Sequence, residues 1–150
     1  MAELGINEAA RIARAAEAQI PFNRVLGLKL EEVGPDGSRI SFPMRDELVG
    51  NAGKGSLHGG VISATLDAVG GLAAVTGAGT KSTVTSVAEL FGKLGTIDLR
   101  VDYLRPGMGD HFEAKAWVLR AGSRIAVTRM ELHADGETLI AVGTGTYIVG

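Results

Sequence analysis

The feature that most constrains the fold is a 26-residue segment, residues 55–80, in which Asp67 is the one formally charged residue. Apolar side chains occupy every face of a helix through this segment, so such a helix either spans a membrane or is enclosed by other structure. A carboxylate in mid-segment costs about 2.5–3.5 kcal/mol on insertion scales, and the Gly-Gly pairs and missing flanking anchors also disfavour a span. We predict a buried helix over about residues 59–76 and no membrane partner.

The pattern around this segment predicts the other elements. Apolar residues at three-to-four spacing over 6–20 predict an amphipathic helix that Pro21 ends. Two short strands, about 29–33 and 38–43, flank a turn-rich Gly-Pro-Asp-Gly and predict a hairpin. A short helix is predicted near 87–94.

Beyond residue 95 the apolar pattern changes to period two. Ile97, Leu99, Val101 and Tyr103 then share one face of a half-buried antiparallel strand. Three more strands are predicted to complete a four-strand meander: 111–120, 124–134 and 138–149. The sheet must cover its apolar face, and the predicted helix is apolar enough to do so. The expected fold class is α+β, an antiparallel sheet wrapped around a central helix in one domain, residues 1–150.

Composition excludes several functions. Fifteen Lys and Arg against 17 Asp and Glu leave a net charge of −2, without the basic excess of a nucleic-acid-binding protein. The absence of cysteine removes disulfides, thiolate catalysis and Cys-ligated zinc, and His58, His111 and His133 lack metal-ligand spacing. The first residues lack the basic and apolar regions of a signal peptide, so we expect a cytoplasmic protein with no metal site.

Nine of the 22 glycines fall in residues 50–79, and they concentrate where the buried helix begins. The loop lacks the last glycine of GxGxxG, and no Walker A loop is present. The helix start at Gly59 and Gly60 offers backbone N–H groups that favour negative charge, which predicts an oxyanion site. Asp67 can serve it as general base or nucleophile towards an ester-like carbonyl, since the chain has no GxSxG motif.

The spacing of these two groups constrains how they cooperate. Gly59 and Asp67 are eight residues apart, about 12 Å along one helix. One carbonyl carbon cannot lie within about 3 Å of both, as acyl transfer requires. If they act together, Asp67 meets Gly59 of another copy, which predicts a homodimer with two shared sites.

Structural alternatives remain open for each candidate. Asp67 can be a satisfied buried carboxylate, and the glycine pair can serve packing. His58, also a candidate catalytic residue, can instead cap or orient the loop. Asn51 and Thr96 are common turn and strand residues. Four arginines suit either a solvated strand surface or the binding of phosphates: Arg100, Arg105, Arg120 and Arg124.

The ordered motifs of the chain resemble those of one family. His58-Gly-Gly, followed by Asp67 and by Gly95-Thr-Ile-Asp-Leu-Arg-Val-Asp-Tyr-Leu-Arg-Pro106, is similar to the hotdog-fold PaaI/4HBT-type acyl-CoA thioesterases over about residues 21–149. The similarity is greatest to the type that acts on medium- and long-chain acyl-CoA, through Ile20-Pro-Phe-Asn and the ending Thr146-Tyr-Ile-Val.

The resemblance implies roles for particular residues. It places Asp67 at the family's catalytic acid and gives Gly59 the N–H that polarises the thioester carbonyl from the facing subunit. It implies that Asn51 binds the carbonyl or positions water and that the Thr96 hydroxyl assists. The segment 84–94 is an insertion relative to PaaI-like members, and we expect it to shape the acyl pocket.

The expected function is hydrolysis of medium- and long-chain fatty acyl-CoA by a homodimer or dimer of dimers. No cofactor is expected, since CoA is part of the substrate, and its candidate contacts are the four arginines and Gly122. One alternative is a non-catalytic acyl-CoA or lipid-binding protein of the same fold. Another is a hotdog enoyl-thioester hydratase, but such enzymes pair an Asp with a catalytic His, and His58, nine residues before Asp67, fits their pattern poorly.

Overall fold

A computed structural model describes Arg11, Ala15 and residues 20–34, 36–79 and 87–150. The elements follow the chain as helix α1 (Pro21–Leu26), strands β1 (Lys29–Gly34) and β2 (Gly37–Pro43), a 3-10 helix (Asp46–Leu48), strands β3 (Val49–Asn51) and β4 (Ser56–Leu57), helices α2 (Gly59–Gly79) and α3 (Val87–Lys93), and strands β5 (Gly95–Tyr103), β6 (His111–Ala121), β7 (Ile125–Ala134) and β8 (Thr138–Ile148). The amphipathic helix predicted over 6–20 lies outside the described residues, apart from Arg11, Ala15 and Ile20.

Helix α2 is the centre of the fold. Within the described residues, six strands form an antiparallel sheet in the order β1-β2-β6-β7-β8-β5, and α2 contacts every one of them. The stretch Gly59–Gly77 is long and apolar enough to cross a membrane, but most of it is buried inside the protein. The predicted α+β hotdog fold, a sheet wrapped around a central helix, is confirmed.

The core lies between α2 and the inner face of the sheet. Leu66 and Val69 of α2 are fully buried there, and Phe42 and Phe112, which are cross-strand partners, stack with their ring centroids 5.2 Å apart. Each such side chain contributes about 1.5–3 kcal/mol through burial. The buried hydroxyl of Thr65 donates to the main-chain oxygen one turn earlier, so the helix buries it without leaving it unpaired.

One prediction about connectivity is wrong. Strands β6, β7 and β8 form a meander, but β5 pairs with β8 at the sheet edge and not with β6, so the connection 104–110 passes β8 and β7 before β6 begins. Pro21 begins α1, a helix that the sequence pattern did not predict, since proline fits the first helical turn, where its missing N–H is not needed. The helix end predicted before Pro21 lies outside the described residues. Gly27, at a φ of 72°, ends α1.

Strand β5 contains an irregularity that strict alternation did not predict. Thr96 pairs with Tyr147 and Asp98 with Thr146, so Ile97 has no cross-strand partner and forms a β-bulge. Ile97 was predicted on the buried face but is 51% exposed. The extra residue turns Thr96 to the same face as Leu99, towards α2.

Candidate active site

Asp67 lies on the third turn of α2, where the helix passes the start of β5. Its side chain is half-buried, and the hydroxyl of Thr96 donates to its Oδ1 at 3.0 Å. Without the bulge at Ile97, Thr96 would face the other side of the sheet. The β-bulge, which the sequence pattern did not predict, therefore brings together two predicted site residues, Thr96 and Asp67.

Tyr147 is the second contact of Asp67, and sequence reasoning missed it. Its side chain is 1% exposed, and its hydroxyl donates to the main-chain oxygen of Asp67 at 3.2 Å. Burial, and then the negative charge of Asp67, raise the pKa of Tyr147 well above its ordinary value, so the phenol stays neutral. A buried tyrosine needs a hydrogen-bond partner for its hydroxyl. Because Asp67 is the charged residue of the predicted core helix, a contact between a strand tyrosine and this residue could have been expected from the sequence.

Asp67 faces an apolar cavity of about 250 Å³. Among the described residues, it is the charged member of a lining otherwise formed by Ile20, Phe22, Asn23, Leu28, Leu30, Ile40, Ala64, Ala68, Gly71, Leu72, Phe91, Leu94, Thr96 and Tyr147. Phe91 of α3 and the adjacent Leu94 belong to the segment that was expected to shape the pocket. The cavity thus presents one carboxylate to an apolar ligand.

His58 caps the N-terminus of α2. The N–H of Gly60 donates to its Nδ1 at 2.8 Å, so this nitrogen is an unprotonated acceptor. The geometry does not support the prediction that Gly60 is an oxyanion donor, because its N–H is already used. The neighbouring glycines serve this cap: a Cβ would lie 2.9 Å from His58 Nδ1 at Gly60 and 2.4 Å from His58 Cα at Gly50.

The N–H of Gly59 remains for a ligand. Among the described residues, no acceptor is hydrogen-bonded to it, as expected for the first turn of a helix. The Gly59 N–H belongs to the same peptide unit as the His58 carbonyl, which accepts from Val61 N at 3.0 Å and from Ile62 N at 3.3 Å. These two hydrogen bonds polarise the peptide unit and so make the Gly59 N–H a stronger donor. Tyr103, a further residue that sequence reasoning missed, donates to the Gly59 carbonyl at 3.0 Å.

Within one chain, Gly59 and Asp67 face different cavities. Gly59 lines a second, more open cavity with Tyr103, Arg105 and neighbouring residues, and Asp67 is not part of its lining. This separation agrees with the spacing of about 12 Å along the helix. The two groups that the sequence predicts to act together therefore lie in separate cavities of one chain.

The other predicted site residues lie apart from Asp67. Asn51 is exposed, lines neither cavity, and accepts from Lys54 N through its side-chain oxygen at 3.2 Å, as a turn residue does. His58 also lines neither cavity. In the part of the chain that the structure describes, no three His, Asp or Glu side chains are grouped to hold a metal ion.

The candidate CoA contacts divide between two ends of the sheet. Arg105 lines the Gly59 cavity and donates to the Leu139 carbonyl at 2.9 Å. Arg100 lies on the outer face of β5, paired with Asp102 at 3.3 Å, and so points away from α2. The remaining candidates are at the end of β6 and in the turn that follows it, at the end of the sheet where β5 begins: Arg120, Gly122 and Arg124.

A sheet wrapped around one helix, with a carboxylate in an apolar cavity and an amide at the helix start, is the arrangement expected of a hotdog thioesterase. The sequence model of the Thioesterase superfamily matches residues 54–141, and the chain belongs to this superfamily. The resemblance identified in the sequence is confirmed, and with it the expectation of a thioester hydrolase.

Particular relatives extend this similarity over most of the chain. The medium/long-chain acyl-CoA thioesterase YigI of Escherichia coli K12 is 45% identical over 134 residues, which cover 87% of this chain and 86% of that protein. The YigI of Salmonella typhimurium is 46% identical over the same shares. A crystal structure of a Shewanella oneidensis protein related to the thioesterase superfamily has a TM-score of 0.89 at 44% identity, over 96% of each chain.

Proposed function

We propose that the chain hydrolyses medium- and long-chain fatty acyl-CoA to free fatty acid and CoA. The observation that carries this proposal is the Asp67 carboxylate in the wall of an apolar cavity. Such a cavity suits an alkyl chain, because burying each methylene from water is worth about 0.8 kcal/mol. The similarity to the YigI proteins supports the same substrate class.

The chemistry follows from one carboxylate and one oxyanion donor. As a general base, Asp67 takes a proton from water while the water oxygen bonds to the thioester carbon; the C–S bond then breaks, and the CoA thiolate takes up the proton. As a nucleophile, Asp67 bonds to the carbon itself and expels CoA, and water hydrolyses the resulting anhydride. Both routes place negative charge on the carbonyl oxygen, which the Gly59 N–H stabilises.

The proposed site is shared by two copies of the chain. β5 lies at the edge of the sheet, with Thr96 at one end touching Asp67 and Tyr103 at the other touching Gly59. Antiparallel pairing of two β5 strands about a two-fold axis brings opposite ends together. Gly59 of one copy then meets Asp67 of the other.

The same pairing suggests how CoA is held. It brings Arg105, beside Gly59 in one copy, near the end of the other copy that carries the turn between β6 and β7. Arg120 and Arg124 are exposed there and available to phosphates. Arg100 fits this role less well because it faces the outer side of the sheet. The reaction as written needs no metal or redox cofactor.

Release of CoA thiol from a chain-length series of acyl-CoA tests the proposal. We expect turnover of medium and long chains, and a loss of roughly 10²–10⁴-fold in Asp67→Asn. Asp36→Asn, an exposed change of the same charge in the turn between β1 and β2, is the matched control and should retain full turnover. Full turnover in Asp67→Asn would refute the role of Asp67.

Two other outcomes would favour the alternative functions. Tight acyl-CoA binding without thiol release would indicate a binding protein. Loss of crotonyl-CoA absorbance without thiol release would indicate a hydratase. The position of His58 argues against a hydratase, because its Nδ1 is occupied by the helix cap.

A further inference from the structure

Tyr147 is buried next to the proposed catalytic carboxylate, yet the mechanism above does not use it. Tyr147 and Thr96 are cross-strand partners on β8 and β5, and both touch Asp67. Thr96 donates to the carboxylate at 3.0 Å, and Tyr147 donates to the main-chain oxygen of the same residue at 3.2 Å. Two adjacent strands, β5 and β8, therefore each donate one hydrogen bond to Asp67 of α2.

The fold leaves space specifically for this phenol. A Cβ on Gly70, three residues after Asp67, would lie 2.5 Å from the Tyr147 hydroxyl oxygen, and a Cβ on Gly145 would lie 2.6 Å from the same atom. Real Cβ atoms do not approach so closely, so any larger residue at either position would displace the ring. Gly70 lies within α2, so its missing side chain makes room for this ring against the helix.

The hydroxyl is held as a donor at the edge of the cavity. The ring of Tyr147 lines the same cavity as Asp67. Ionisation of the phenol would place a second negative charge beside Asp67 in a buried position, which is unfavourable. The neutral hydroxyl is therefore available to hold Asp67 over the pH range in which an enzyme works.

We infer that Tyr147 is a positioning residue, which with Thr96 fixes Asp67 in the orientation needed to attack water or the thioester. The inference rests on the proposed function, because it gives Asp67 the catalytic role. One hydrogen bond fixes the carboxylate, and the other ties the main chain of Asp67 to the sheet. The carboxylate then keeps its direction relative to β5, the strand along which we place the partner copy.

The test compares kcat and KM of acyl-CoA hydrolysis in the full chain. Tyr147→Phe keeps the ring that lines the cavity and removes the hydroxyl, so we expect kcat to fall roughly threefold to tenfold with KM nearly unchanged. Thr96→Val should lower kcat in the same way. Gly145→Ala keeps the hydroxyl but displaces the ring, and we expect it to reproduce the loss of kcat.

Val149→Ala is the matched structural control. It removes buried methyl groups from the cluster that contains Tyr147, without touching Asp67. We expect it to lower the melting temperature and leave kcat unchanged. If Val149→Ala lowers kcat as much as Tyr147→Phe does, Tyr147 acts through stability alone and the inference is overturned.

A crystal structure of Tyr147→Phe provides a measurement that does not depend on activity. We expect the Asp67 carboxylate to turn away from Thr96, so that their 3.0 Å contact lengthens. An unchanged Asp67 orientation, with kcat as in the wild type, would overturn the inference and leave the proposed function standing. If the wild-type chain hydrolyses no acyl-CoA, the proposed function fails, and the orientation of Asp67 in this variant still decides whether Tyr147 positions it.

Discussion

The shared site can be tested by combining two defective variants of the chain. Asp67→Asn removes the carboxylate, and Gly59→Pro removes the N–H that we assign to the oxyanion. Proline is favoured at the first position of a helix, and a Cβ at Gly59 would meet Tyr103 at an ordinary 3.5 Å, so α2 should form in the variant. Each variant by itself should be strongly impaired, since losing one oxyanion donor costs about 10²–10³ in kcat.

The two variants should restore activity when they assemble together. In a mixed dimer, one site combines both defects, and the other combines the intact Asp67 of one chain with the intact Gly59 of its partner. Such a dimer should have about half of the wild-type activity. Random assortment of equal amounts makes about half of the dimers mixed, so an unfractionated mixture should reach about one quarter.

Co-expression of the two variants with different affinity tags, followed by two purification steps, isolates the mixed dimer for the thiol-release assay. Co-expression of two differently tagged Asp67→Asn chains is the control and should give no recovery. If Gly59 and Asp67 of the same chain formed each site, every site in the mixture would carry one defect. Activity at the level of the separate variants would therefore refute the shared site.

Two further predictions concern stability. Gly60→Ala places a Cβ 2.9 Å from His58 Nδ1 and disrupts the helix cap. Calorimetry should show that the free energy of unfolding falls by about 1 kcal/mol and the melting temperature by about 2–4 °C. Gly53→Ala is the control and should change little, because its Cβ would meet its nearest neighbour at 3.5 Å. An unchanged melting temperature in Gly60→Ala would show that the cap contributes nothing. The raised pKa of Tyr147 means that its contribution to stability is complete below its unfolded value of about 10 and is lost as the pH rises above it. Urea unfolding between about pH 9 and pH 11 should therefore show a fall in the free energy of unfolding that is smaller in Tyr147→Phe, and equal slopes would contradict this.

Local patterns in the sequence were sufficient to predict most of the elements. The segment that contains Asp67 is apolar on every face, which allows few structures other than an enclosed helix, and α2 is that helix. Period-two alternation and turn residues predicted the strands that became β1, β2, β5, β6, β7 and β8. These signals lie within a few residues of each other, so they do not depend on which strands pair.

What could not be predicted depends on contacts between distant residues. The position of β5 beside β8 is set by a crossing connection, and no local pattern specifies it. The donation from Tyr147 to Asp67 joins residues separated by 80 positions, and the donation from Tyr103 to Gly59 spans 44. The separation of Gly59 from Asp67 could be predicted correctly because an α-helix has a constant rise per residue, so the number of residues between them gives their distance along the axis.

The bulge at Ile97 determines how much change in length β5 can accept beside Asp67. The cavity is formed largely by side chains of other elements, so it does not require the extra residue in β5. With Ile97 present, the contact between Thr96 and Asp67 depends on the bulge, because strict alternation through Ile97 would turn the threonine to the opposite face. Deletion of Ile97 itself would restore strict alternation and leave Thr96 opposite Tyr147, on the same face as Leu99. An edge strand can therefore gain or lose this one residue while the inward-facing residues on both sides of it keep their faces, provided that the gained residue is accommodated as a bulge.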